Sequence, residues 1–123
     1  MKAGVEKELV VGNVNAVRDW GFAGDYVEAM WKMLQADVPD DYVIASGETH
    51  TVRDFIRTTA QALNFPIAWE GEGETEVGLG ANGNVVVRVS KDFYRPIEKV
   101  DRCGDISKIK KDLGWKPKTR FEE

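Results

Sequence analysis

The 123-residue sequence predicts a small mixed α/β domain of about three helices and four to five short strands. Three observations lead there. Thr51-Val52-Arg53-Asp54 is a capping box that opens a stretch of helical periodicity. Val85-Val86-Val87-Arg88-Val89 is a β-branched run of strand length. Between these, short apolar runs alternate with Gly, Asn, Asp and Pro clusters, the pattern of brief elements joined by tight turns. A chain of this length buries a single core, and one compact unit is expected.

Taken in order, Glu8 to Val11 reads as a short strand, and Gly12-Asn13-Val14-Asn15 turns it into the polar stretch Val17-Arg18-Asp19-Trp20-Gly21. Tyr26, Val27, Met30, Met33 and Leu34 recur at helical spacing, with Asp25 the expected N-cap and Gln35 the last residue. Ala29 and Trp31 widen that apolar surface, so this helix expects burial on more than one side. Tyr42-Val43-Ile44-Ala45-Ser46 reads as a strand closed by Gly47. The helix opened by Thr51 carries Val52, Phe55, Ile56, Thr59, Ala60 and Leu63 on its inner stripe, and Asn64 with Pro66 stops it. Pro66 to Glu70 predicts a short strand with Trp69. The acidic loop Gly71 to Glu76 and the turn Ala81-Asn82-Gly83-Asn84 bracket an expected mobile segment before Val85–Val89. Asp105-Ile106-Ser107 opens a last short helix with Ile106, Ile109 and Leu113 in register, ended by Gly114.

Composition narrows the function. Lys and Arg number 17 against 21 acids, a net charge of −4, and the cations are interleaved with acids; nucleic acid is therefore not an expected partner. No apolar run has the length of a signal segment or a membrane span, so no membrane partner is expected and a cytoplasmic location is the default. The single cysteine, Cys103, has no internal partner and reads as a structural thiol. One His, His50, and one Cys do not make a metal site.

Two catalytic patterns are absent. Gly78-Leu79-Gly80-Ala81-Asn82-Gly83 has the letters of a dinucleotide loop, but an acidic loop precedes it and a strand follows, where the chemistry needs a helix N-terminus to receive a pyrophosphate. The Tyr-x-x-x-Lys spacing of a short-chain dehydrogenase base is also missing: Tyr26, Tyr42 and Tyr94 are followed there by Met30, Ser46 and Glu98. What remains is a set of arginines in or beside loops, Arg18, Arg53 and Arg95, with Glu98 close to the last. Guanidinium forks match diphosphate oxygens, and a carboxylate accepts from a guanine edge or sugar hydroxyls. For isolated arginines surface pairing is the commoner case, here Arg18 with Asp19 or Asp25 and Arg53 with Asp54.

Longer strings shift that balance. Val17-Arg18-Asp19-Trp20-Gly21 through Trp31, Asp40 through Arg53, Tyr94-Arg95-Pro96-Ile97-Glu98, and Leu113-Gly114-Trp115-Lys116-Pro117-Lys118-Thr119 resemble, in collinear order, the C-terminal part of GDP-mannose 4,6-dehydratases. The resemblance runs from about Glu8 onward, giving residues 8–123 as the family-like, substrate-binding domain and 1–7 as a leader, which fits an independently started reading frame or a cloning boundary alike. It departs at Phe22, where His is common in the family, at Gly24, where Lys is common, and at Lys99 to Cys103, which replaces a more apolar run.

That family is an extended short-chain dehydrogenase group. Its N-terminal Rossmann domain holds NADP and the acid–base residues, and its smaller C-terminal portion grips the GDP-sugar. The resemblance implies that this chain is an α+β-like remnant lacking the Rossmann domain, with no catalytic residue and no cofactor of its own. It implies diphosphate contacts for Arg18 and Arg95, a guanosine contact for Glu98 and a weaker substrate role for Arg53. GDP-mannose or a related GDP-sugar is the implied ligand. Removal of the parent sheet would bare the helix after Arg18, so a homo-oligomer, or a rearrangement covering Met30, Trp31 and Met33, is expected.

Overall fold

The computed structural model describes residues 6–95 and 102–123. In chain order the elements are β1 (Leu9–Val11), β2 (Val17–Asp19), α1 (Ala23–Leu34), β3 (Thr49–Thr51), α2 (Val52–Ala62), β4 (Ala68–Glu70), a 3-10 turn (Gly73–Thr75), β5 (Val77–Leu79), β6 (Val85–Val89) and α3 (Ser107–Leu113). The predicted class, a small α/β assembly of short elements, is what forms. Instead of one compact unit there are two: Met1–Ala16 with Thr51–Lys99, and Val17–His50 with Val100–Glu123.

The first unit is a four-stranded sheet in the order β1-β6-β5-β4, with α2 supplying its helical core residues. β1 lies parallel to β6, placing Leu9 opposite Val87 and Val11 opposite Val89, while β5 runs antiparallel to both β6 and β4. Val86, Val87 and Val89 are buried and Arg88 points out, and with Val14 and Ile56 they form the core against which Phe65, Ile67 and Trp69 pack. α2 begins where the capping box predicts: Asp54 N–H donates to Thr51 Oγ1 at 3.0 Å, and Thr51 N–H donates to Asp54 Oδ2 at 3.0 Å. Two further first-turn donors go to the chain, Val52 N–H to Ala16 O and Arg53 N–H to Val14 O. Asn64, at φ 50°, ends the helix, as expected of a residue that tolerates the left-handed region. The segment expected to be mobile is instead partly ordered into β5, between β4 and β6. Gly78 is why a strand fits there: a Cβ would meet Ile67 Cγ2 at 2.9 Å and Val87 Cβ at 3.0 Å, so only glycine allows the close approach.

In the second unit α1 starts two residues before Asp25, with Phe22 at the N-cap position and no side-chain cap. Asp25 is buried and faces other partners, which overrides the local cap signal. Tyr42 to Ser46 is irregular backbone and not the predicted strand: its last residue, Ser46, gives its N–H to the Asp19 carboxylate, and no ladder partner flanks the run among the described residues. β2 pairs with β3, a pairing hidden in stretches that read as polar loop. A small apolar cluster centres on Ala29, Ile109 and Trp115, with Tyr26, Tyr42, Ile44, Ile106 and Leu113 packed on it. Gly114, at φ 60°, terminates α3 as predicted. No helix among the described residues is long and apolar enough to cross a membrane.

Candidate functional site

The sequence-selected arginines fall on both units. Arg18 sits in β2 of the second unit, half-buried, with one guanidinium nitrogen donating to Val17 O at 2.7 Å. Arg95, in the first unit, is exposed in irregular chain after β6. Glu98 lies outside the described residues.

Arg53, in the first turn of α2, is heavily engaged within the first unit. It ion-pairs with Glu76 at 2.5 Å, donates to Asn15 Oδ1 at 3.0 Å, and holds its guanidinium 4.6 Å from the centroid of the Trp69 ring. Glu76 is buried, so this pair fixes the 3-10 turn region to α2 and satisfies a carboxylate that would otherwise be costly inside the fold. Asp54, the surface partner suggested from sequence, pairs with Arg57 at 2.7 Å. Glu76 carried no sequence signal, since it closes a loop of similar acids.

Beside Arg18, Asp19 organises the second unit's polar surface. Its Oδ1 accepts from Ser46 N–H at 2.7 Å and Ser46 Oγ at 2.6 Å, and its Oδ2 from Gly47 N–H at 3.0 Å and Gly104 N–H at 3.2 Å. The Ser46 hydroxyl has one proton; the shorter, charge-assisted contact to Asp19 takes it in preference to Glu48 O at 3.0 Å. Burial alone would push the Asp19 carboxyl up, but the hydrogen bonds from Ser46, Gly104 and Gly47 outweigh it and hold the pKa below the usual 3.8. Asp25 is held low as well, chiefly by the backbone N–H groups of Thr119 and Lys118. Burial, then the negative Asp19 and Asp25, push the Tyr26 phenol above its usual value, so it stays neutral at physiological pH.

A cavity of about 220 Å³ opens in the same unit, lined by Trp20, Ser46, Glu48, His50 and residues 117–121. His50 stacks on Phe121 with ring centroids 3.8 Å apart and planes 8° from parallel. His50 forms no metal site with Cys103 in the sequence pattern, and its ring partner, Phe121, lies far along the chain.

The glycine-rich letters do not build a dinucleotide cradle. Gly78 lies inside β5, Gly80 N–H donates to Asn84 O, Gly83 takes a turn conformation at φ 73°, and β6 follows directly. No helix N-terminus follows to receive a pyrophosphate, so this turn does not fit a dinucleotide. No group of three or more potential metal ligands occurs among the described residues.

Solved structures share the architecture. Similar folds occur in RMD from Pseudomonas aeruginosa, at TM-score 0.70 and 20% identity over 98% of this chain and 34% of that one. UDP-glucose 4-epimerase from Thermotoga maritima follows at TM-score 0.65 and 21% identity, over 94% of this chain and 31% of that one. Sequence similarity is much stronger. The human GDP-mannose 4,6 dehydratase is 49% identical over 92% of this chain and 31% of its own length, and the Dictyostelium discoideum protein is 47% identical over 98% and 34%. The chain thus spans about a third of the length of the curated relatives it matches. With the GDP-mannose 4,6 dehydratase family model matching residues 1–123 throughout, this chain belongs to that family.

Proposed function

We propose that this chain is a GDP-sugar-binding module, with GDP-mannose as its ligand, that performs no turnover by itself. The observation that carries the reading is the family match across the whole sequence, including every string that holds the candidate arginines. In this reading Arg18 and Arg95 supply guanidinium forks to the diphosphate and Glu98 accepts from the guanosine end. Arg53 acts indirectly, through its pair with Glu76, by holding the loop before β5. The absence of turnover is supported by what the glycine-rich turn lacks and by the missing Tyr-x-x-x-Lys spacing within this sequence. NADP chemistry would then belong to another polypeptide segment.

Titration with GDP-mannose, followed by calorimetry or NMR with UDP-glucose as control, tests the reading. Weak but saturable binding, with Kd on the order of millimolar, is expected, because part of a cleft supplies part of the contacts and little pre-organisation. Equal response to both nucleotides would remove the guanosine assignment.

A second reading is favoured by one surface. Val27, Met30, Trp31 and Leu34 follow each other along α1 and are 62%, 55%, 61% and 82% exposed. A helical stripe of that kind favours association, either with a second copy, giving a homo-oligomer with a vestigial site, or with another chain that completes a lyase. Light scattering at high protein concentration distinguishes them: a dimer supports the first, and a monomer that gains dehydratase activity when a Rossmann-domain protein is added supports the second.

A further inference from the structure

The C-terminal run after α3 is fastened to the second unit first by an apolar anchor and then by polar contacts. Trp115 is its anchor, 1% exposed, with its indole N–H donating to Asp25 O at 3.1 Å. Beyond Pro117 the fastening changes character and becomes polar. Lys118 N–H and Thr119 N–H both donate to Asp25 Oδ2, at 2.9 and 2.8 Å, and Lys118 Nζ pairs with Glu28 at 2.5 Å. The run then reaches His50, where Phe121 stacks on the imidazole.

Closure over His50 has a cost that these contacts must offset. His50 Nε2 is buried with no hydrogen-bond partner among the described residues, and the nearest carboxylate oxygen, Glu48 Oε2, stands 4.0 Å away. Burying such an atom forfeits its hydrogen bonds to water. A segment whose backbone is latched to a carboxylate and whose ring stacks on an imidazole with a buried, unpaired nitrogen, over a polar cavity, can act as a closable cover, because the closed state carries an opposing penalty.

We propose that residues 118–121 form a lid, latched through their backbone to the Asp25 carboxylate, that closes over His50 and controls access of small polar solutes to the cavity it lines. Opening pivots between the Trp115 anchor and the latch, so the apolar cluster stays intact while the cavity is uncovered. Asp25 is a positioning residue here: its carboxylate accepts from the lid, while its backbone carbonyl accepts from the Trp115 anchor.

The sequence has one histidine, which makes the test site-specific. Carbethoxylation of His50 by diethyl pyrocarbonate, read by peptide mass spectrometry, reports access. Amide exchange at Lys118 and Thr119 reports the latch, and the Trp115 indole N–H reports the anchor. In Asp25→Ala, His50 modification and exchange of both amides are expected to rise at least about tenfold with the Trp115 indole still protected. Unchanged modification and exchange would overturn the lid. Should Asp25→Ala also lose Trp115 protection, Phe121→Ala decides: faster His50 modification with Trp115 protected upholds the lid, and an unchanged rate overturns it.

Discussion

The two units are built from the same kinds of short element and are held together differently. In the first, a ladder of four strands and α2 enclose valines and an isoleucine, and the buried carboxylate of Glu76 is matched by Arg53. In the second, two strands of three residues contribute little ladder, and carboxylates replace it: Asp19 gathers the backbone of Ser46, Gly47 and Gly104, and Asp25 gathers Lys118 and Thr119. Apolar burial is non-directional and proportional to area, whereas a carboxylate that collects N–H groups fixes a few loops in one arrangement and depends on its own ionisation. The contrast predicts that the units respond to different perturbations.

The largest effect is expected at Trp115, the biggest fully buried side chain of the second unit. Trp115→Ala should cost about 3–5 kcal/mol in urea denaturation and remove amide protection from α3, leaving the β5–β6 ladder protected; simultaneous loss in both would make the units one cooperative structure. Glu76→Ala is the matching test in the first unit. It strands the Arg53 guanidinium, and because that side chain is 24% exposed the cost should fall at about 2–3 kcal/mol, below that of a fully buried pair.

These tests also bear on what the sequence discloses. Local signals were legible wherever an element's cause is local: the Thr51–Asp54 box, the valine run of β6, Asn64 and Gly114 as stops. They misled where a residue answers to a distant partner. Asp25 looks like a helix cap and serves Lys118 and Thr119, 93 and 94 residues away. Tyr42 to Ser46 has strand composition, yet Ser46 turns to Asp19. Of the site, Arg18, Arg53 and Arg95 were visible as residue types, but that Arg53 pairs with Glu76 depends on β5 bringing the acid to α2, which periodicity in a three-residue strand does not reveal. The His50–Phe121 stack joins residues 71 positions apart and leaves no trace in either neighbourhood.

Smaller effects sharpen the comparison. Thr51→Ala removes one half of the capping box and should cost about 1 kcal/mol, seen as a lower urea midpoint with an unchanged m-value. Acid should act first on the second unit. The folded pKa values of Asp19 and Asp25 lie below 3.8, so their contribution is fully present above the unfolded value of about 3.9 and is lost as pH falls through the folded values. Amide exchange at Gly47, Gly104, Lys118 and Thr119 should therefore rise below about pH 4, ahead of exchange in β6; the reverse order would remove the distinction between the units.

The GDP-sugar reading is tested most directly by titrating GDP-mannose into the wild-type protein and Arg95→Ala side by side. Saturable binding to the wild type is expected, at roughly millimolar Kd, with a loss of about tenfold or more in the variant as the diphosphate loses a charge-assisted fork. Identical curves for the two proteins, or no saturable response in the wild type at millimolar ligand, would contradict it.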